Sequence, residues 1–228
     1  MAGPFPYVSP EQFMKDRAEF ARKGIARGRA LVAVAFDEGV VFVGENPSRV
    51  LYKTSEIYDR IGFAAVGKYN EFESLRVAGI RLADVKGYQY GREDVTAKSL
   101  ANAYSQSLGS IFTEGQKPFE VELLVAQIGT GPGHPLELYH ILYDGSIVDE
   151  HSFVAIGGEA DSLLEHLRLG WSEGMSLAGV VGLAMSSLST VVERDVPAGD
   201  LEVSGLRHDG HRRRFFRLDE AAITELLG

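Results

Sequence analysis

From Ala30 to Phe36 the chain reads Ala-Leu-Val-Ala-Val-Ala-Phe, then Asp37-Glu38-Gly39, then Val-Val-Phe-Val-Gly-Glu as far as Glu45. Two runs rich in valine and aromatic residues, split by a three-residue turn that contains glycine, predict a β-hairpin. Both runs are almost wholly apolar, whereas a strand with one wet face alternates. The hairpin is therefore expected to be buried on both faces, in the middle of a layered domain. The stretch in front of it, Gly24 to Arg29, offers no Ser, Thr or Cys as a nucleophile at the strand's start.

The other elements follow from local signals. Residues 1–8 (Met1, Ala2, Gly3, Pro4, Phe5, Pro6, Tyr7, Val8) hold two prolines and two aromatics with no periodicity. They read either as a frayed leader or as a plug or contact arm. Ser9, Pro10 and Gln12 open a helix with a cap, a first-position proline and a capping box. Met14, Ala18, Ala21 and Ile25 recur at helical spacing opposite Lys15, Asp16, Glu19, Arg22 and Lys23, and Gly24 supplies a stop, so residues 9–24 form an appended amphipathic helix. Strands are predicted over 50–57 and 62–67. Two helices follow, the first striped by Phe72, Leu75, Ala78, Leu82 and Val85 and ending near Gly87. The second begins at Asp94 or Thr96 and carries Leu100, Ala103, Tyr104, Leu108 and Ile111. Residues 118–127 alternate as a strand, and 138–143 and 146–149 flank an Asp144-Gly145 hairpin turn. A strand over 153–156 leads into helices over 160–169 and 176–192, the latter apolar enough to imply burial between layers. A polar linker, 193–200, precedes a last hairpin, 201–207 and 213–218, across His208-Asp209-Gly210, and a helix starts at Asp219. Runs of strands alternate with pairs of helices, which is not strict βαβ alternation. Antiparallel sheets with helical layers outside them fit better, in a single α+β domain.

Composition removes whole classes of function. The 228 residues can bury a substantial core, and 45% apolar with 24% charged is ordinary for a soluble chain. A formal charge of −9 argues against nucleic acid and anionic membrane as general partners. With no cysteine, thiol catalysis, disulfides and cysteine-ligated metals are excluded, and a cytoplasmic address fits. The first residues lack a signal peptide's basic and apolar regions, and no apolar run approaches the roughly 18 to 20 residues that span a bilayer.

Candidate motifs mostly dissolve on inspection. Gly129-Thr-Gly131-Pro-Gly133 is spaced like a phosphate loop, but strand-like residues follow it where a helix would be needed. The six histidines are scattered, and His208 and His211 flank a turn without a carboxylate cluster, so no metal site is expected. His211-Arg-Arg-Arg214 reads as edge protection or a subunit contact. No Gly-x-Ser-x-Gly elbow is present, and no cofactor is expected.

Several long stretches, taken together and in order, resemble α-type subunits of the 20S proteasome, of the actinobacterial kind. They are Tyr7-Val-Ser-Pro-Glu-Gln12, Ala21-Arg-Lys-Gly-Ile-Ala-Arg-Gly28, Val43-Gly-Glu-Asn-Pro-Ser48, Ile57 to Phe72, and Asp144-Gly-Ser-Ile-Val-Asp149. The resemblance spans essentially the whole chain and is weakest at 129–136 and 193–212. It implies the N-terminal-nucleophile hydrolase fold, a four-layer αββα sandwich of two antiparallel sheets between helical layers, in one domain over 9–228. It also implies a homo-heptameric α-ring stacked on β-subunits that carry out the proteolysis.

Chemistry in this fold uses the α-amine and side chain of a Thr, Ser or Cys freed at the first strand. Here Gly28, Arg29 and Ala30 stand before the strand behind a capped helix, so this chain is not expected to cleave peptides. The resemblance further implies that Lys53 and Gly67 line a pocket for the C-terminal carboxylate of an activator's tail, such as that of a hexameric ATPase. A compact ammonium suits that anion. Lys68 stands where archaeal relatives have an apolar residue. Residues 1–8 become the gate, although the archaeal Tyr-Asp-Arg signature is absent from them, and Tyr58-Asp59-Arg60 lies elsewhere. Protein substrates tagged by a ubiquitin-like modifier are implied in the same way. A self-processing hydrolase of this fold and a free-standing binding protein remain the alternatives.

Overall fold

The apolar runs are strands β1 (Leu31–Phe36) and β2 (Gly39–Glu45), paired antiparallel with Phe36 opposite Gly39. The turn is therefore Asp37 and Glu38 alone, and Gly39 already belongs to the ladder. The computed structural model that places them describes residues 9–48, 50–129, 135–208 and 213–228. The leader 1–8, most of the glycine-rich stretch, and much of the His208-to-Arg214 turn lie outside the described residues.

Among the described residues eight further strands complete two five-stranded sheets in which every pairing is antiparallel. They are β3 (Thr54–Tyr58), β4 (Ile61–Gly67), β5 (Val121–Gln127), β6 (Glu137–Ile141), β7 (Ile147–Glu150), β8 (Phe153–Ile156), β9 (Leu201–Arg207) and β10 (Phe215–Leu218). One sheet runs β10-β9-β2-β1-β8 and the other β3-β4-β5-β6-β7. The hairpin thus lies inside its sheet, flanked on both edges. Phe42, Leu31, Ala33 and Val40 face Ala64, Val66, Leu124 and Ala126 of the second sheet across one core. The alternate residues Val32, Val34, Val41 and Val43 face helices, which is why neither run could alternate with polar residues.

Six α-helices are present among the described residues: α1 (Pro10–Ala26), α2 (Tyr69–Gln89), α3 (Ala97–Glu114), α4 (Ala160–Gly170), α5 (Leu177–Val191) and α6 (Glu220–Leu227). Helices α2 and α3 cover the outer face of the second sheet, and α4, α5 and α6 that of the first. This is the four-layer αββα sandwich of the N-terminal-nucleophile hydrolase fold. Helix α5 is apolar because it rests on the β1–β2 sheet with α4 and α6 at its sides. It belongs to an outer layer and is not enclosed between layers; Ser186 and Thr190 reach solvent.

Helix α1 closes one end of the inter-sheet core. Ala21 and Ile25 are buried in it, with Met14 and Ala18 packed against it. Ser9 Oγ accepts from Gln12 N at 3.2 Å, but the Gln12 side chain turns forward to Asp16 (2.7 Å), so only half of the capping box forms. The helix also passes through Gly24 and ends at Ala26, since Gly24 lies where α1 meets Glu120 and a Cβ would run into that side chain. Spacing did not announce Arg17, which is buried on the same helix. Its Nε donates to Phe112 O (2.7 Å) and Nη2 to Ile111 O (3.0 Å), satisfying carbonyls in the last turn of α3. The guanidinium also lies over the Phe13 and Phe112 rings. Arg17→Ala removes charge-assisted bonds and packing together, a loss of about 2 kcal/mol. The expected result is a melting temperature about 4–8 °C lower in a thermal scan of the chain, and a variant that melts with the parent would overturn that role.

One predicted strand start and one predicted helix face differ from the structure in ways that bear on the site. The strand expected over 50–57 begins at Thr54, and Val50, Leu51 and Tyr52 form an exposed segment held by side-chain bonds. On α2 the buried stripe is Phe72, Leu75, Gly79 and Ala83, leaving Ala78, Leu82 and Val85 exposed. Gly79 faces the Tyr104 hydroxyl of α3, and that close approach turns the helix about its axis relative to the simple apolar reading.

Candidate functional site

The end of the sandwich at which β1 starts gathers several chain segments. Gly28 N donates to Ile25 O (2.8 Å) and Gly158 N donates to Gly28 O (3.1 Å), tying the 28–30 stretch to α1 and to the segment after β8. The Gly28 backbone lies against Gly67 at the end of β4. Gly28, Arg29 and Ala30, which lead into β1, carry no hydroxyl or thiol.

Lys53 reaches this stretch from the other sheet. Its carbonyl accepts from Ala65 N (2.9 Å), while its Nζ donates to Arg29 O (2.8 Å) and Glu45 O (3.0 Å). An ammonium has three donors, and among the described residues these two carbonyls are its hydrogen-bond partners. Burial pushes the Lys53 pKa down to about 8; Arg29 adds to that push, and Glu202 and Glu45 oppose it. The Glu45 side chain is itself buried between Arg29 Nε (3.3 Å) and Arg194 Nη2 (2.5 Å).

Gly67 has φ +103°, and a Cβ there would run into the Glu120 carbonyl. Lys68 N donates to Glu120 O (2.9 Å), and Lys68 is the N-cap of α2 without a side-chain capping bond. Glu71, in the first turn of α2, is buried; it accepts from Glu120 N (2.7 Å) and pairs with Lys117 Nζ (2.5 Å). Lys53 and Gly67 are thus brought to one place by contacts with consecutive residues, Arg29 and Gly28.

Sequence reasoning missed the residue that organises the segment carrying Lys53. Glu202 of β9 is buried and accepts from Lys53 N (3.0 Å), Thr54 N (3.0 Å), Thr54 Oγ1 (2.5 Å), Asn46 Nδ2 (2.6 Å) and Arg217 Nη1 (2.9 Å). Burial works against its charge, but these bonds outweigh it and hold the carboxyl below the usual carboxylate range. A signal existed: in Leu201-Glu-Val-Ser-Gly-Leu206 a charge sits in an otherwise apolar strand, in step with Leu206, which faces the inter-sheet core.

With a non-nucleophilic β1 start facing a partly buried lysine in a four-layer sandwich, comparison with known families decides the kinship. The model described as "Proteasome subunit" matches residues 25–204. The chain belongs to the proteasome subunit family. Curated relatives named "Proteasome subunit alpha" cover all of it. That of Xylanimonas cellulosilytica is 55% identical with 97% of its length matched, and that of a Nocardioides species 56% identical with 90% matched. A third, from Kineococcus radiotolerans, is 53% identical over 98% of its length. They place the chain in the α-type branch of the 20S proteasome as it occurs in actinobacteria. In that branch the subunit is non-catalytic and the β-subunits perform proteolysis, which sets aside the self-processing alternative. Among the described residues no group of acidic and histidine side chains could hold a metal, and no helix is long and apolar enough to cross a membrane.

Proposed function

We propose that this α-type subunit forms the outer, homo-heptameric ring of a 20S core, guards entry to the β-subunit chamber and docks a hexameric ATPase or another activator. In this reading residues 1–8 are the gate, and the Lys53–Gly67 region takes the C-terminal carboxylate of the activator's tail. The proteins admitted carry a ubiquitin-like tag, and the ring works in the cytoplasm. What supports the docking role is one observation. The partly buried Lys53 ammonium is held at the start of β1 by two carbonyls, which are its side-chain hydrogen-bond partners among the described residues, and Gly28, Arg29 and Ala30 carry no hydroxyl or thiol for it to activate.

Lys53→Ala tests it in cores assembled with β-subunits. Loss of one partner of an enclosed charge pair lowers tail affinity by roughly thirty-fold or more, so ATPase-driven degradation collapses while native mass spectrometry still finds complete rings. Failure to form rings would make Lys53 structural, and unchanged degradation would remove the pocket. Docking needs the charged amine, which exists below its pKa. Tail binding is therefore expected to hold at neutral pH and to fall as pH rises through about 8.

A further inference from the structure

We infer that Glu202 is a positioning residue for this pocket, holding the segment from Asn46 to Thr54 so that Lys53 is presented, charged, at the start of β1. The inference rests on the reading of Lys53 as the tail-binding lysine and adds a residue far away in sequence.

The geometry carries it. Residues 50–52 are exposed, so little apolar burial holds the chain just before Lys53. Its shape comes from polar bonds that converge on one carboxylate. Asn46 Nδ2 bonds Glu202 and also Leu51 O (2.7 Å), and Asn46 Oδ1 accepts from Ser48 N (3.1 Å). Ser48 Oγ in turn accepts from Leu51 N (3.0 Å). On the far side of Lys53, Thr54 gives Glu202 both its N–H and its hydroxyl, and accepts from Ser204 Oγ (2.7 Å). Arg217, stacked 4.1 Å from the Tyr52 ring centre, donates to Glu202 and to Thr54 O (2.7 Å). Glu202 thus grips Asn46, Lys53 and Thr54 at once, and the Lys53 side chain leaves from the clamped backbone toward Arg29 O and Glu45 O.

An amide in place of the carboxylate would keep the shape and lose the charge. The amide nitrogen would stand either at Oε2, which takes Lys53 N and Asn46 Nδ2, or at Oε1, which takes Thr54 N, Thr54 Oγ1 and Arg217 Nη1. In both orientations a donor faces donors, and a buried polar mismatch of this kind is costly. The charge has a second effect. The groups acting on Lys53 are Arg29, Glu45 with its partner Arg194, and Glu202 with its partner Arg217. Of these, Glu202 opposes most strongly the downward push of burial on the amine.

The test uses cores assembled with β-subunits and a fluorescent peptide of the ATPase's C-terminal tail, made with a free carboxylate and as the amide, titrated across pH. Glu202→Gln is expected to weaken binding of the carboxylate peptide roughly tenfold at neutral pH. It should also move the alkaline midpoint of binding down by about one unit, an effect that loosened geometry alone would not produce. Asn46→Ala, which keeps the Glu202 charge, should weaken binding with its midpoint in place. Unchanged affinity and midpoint in Glu202→Gln, in a core where Lys53→Ala abolishes binding, overturns the inference and spares the pocket. Equal binding by the Lys53→Ala core instead overturns the pocket itself. If Glu202→Gln does not assemble, Asn46→Ala decides: undiminished binding there overturns the clamp.

Discussion

Cores assembled from a chain lacking residues 1–8 are expected to hydrolyse short peptides several-fold faster than parent cores, because the segment proposed as the gate no longer limits entry. The truncation separates gate from fold cleanly. It stops before Ser9, whose hydroxyl caps α1 at Gln12 N, and before Pro10, which occupies the first helical position. The helix is held farther along by Arg17 on the α3 carbonyls and by Ala21 and Ile25 in the core. These anchors all lie beyond the point of truncation. Ser9→Ala in an otherwise full-length chain supplies the comparison: it removes the cap at a cost of about 1 kcal/mol and keeps the leader. Acceleration in the truncated core but not in Ser9→Ala assigns the effect to residues 1–8. Equal rates in all three cores would remove the gate assignment, and acceleration in both variants would transfer it to the anchoring of α1.

Gly67→Ala is expected to be among the most damaging single changes at the site. At φ +103° an L-residue is strained, and the atom its Cβ would meet is the backbone carbonyl of Glu120, which cannot swing aside as a side chain can. That carbonyl also accepts from Lys68 N, while Glu120 N is held by Glu71, so relief would have to move β5 against the first turn of α2. Strain and collision together should cost about 3 kcal/mol or more, lowering the melting temperature by about 6–12 °C. Gly174 isolates the first term, since it has φ +80° with open space around it. Gly174→Ala should cost only about 1 kcal/mol. Thermal scans of the two variants beside the parent check both figures. A Gly67→Ala chain that melts no lower than Gly174→Ala would overturn the role given to the close approach. The expected outcome makes Gly67 a requirement of the β4–α2 junction first, and of any pocket second.

How far the site could be read without coordinates depends on the range of the forces that make it. Resemblance named Lys53 and Gly67 as the pocket proposed above, and the plain residues at 28–30 made the non-catalytic character of the chain legible. The clamp on Lys53 was not. Its members, Asn46, Thr54, Glu202, Ser204 and Arg217, come from three separate stretches, and no spacing rule links them. Arg17 was hidden for a related reason: its partners are carbonyls of α3, and backbone acceptors leave no mark in a pattern of side chains.

By itself the sequence determined that β1 and β2 lie inside a sandwich, because continuous apolar runs leave no face for water. It also determined where α1, α3, α5 and α6 begin, because Ser9, Thr96, Ser176 and Asp219 each cap a helix through their own side chains. Only the tertiary structure decided that α2 turns Gly79 inward and leaves Leu82 outside, that the strand after the turn waits until Thr54, and that a carboxylate on β9 aims a lysine at the start of β1. Those outcomes depend on which surfaces meet after the chain has folded. Shape at a helix crossing and charge in a closed space outweigh local preference there, and neither exists until distant segments are in contact.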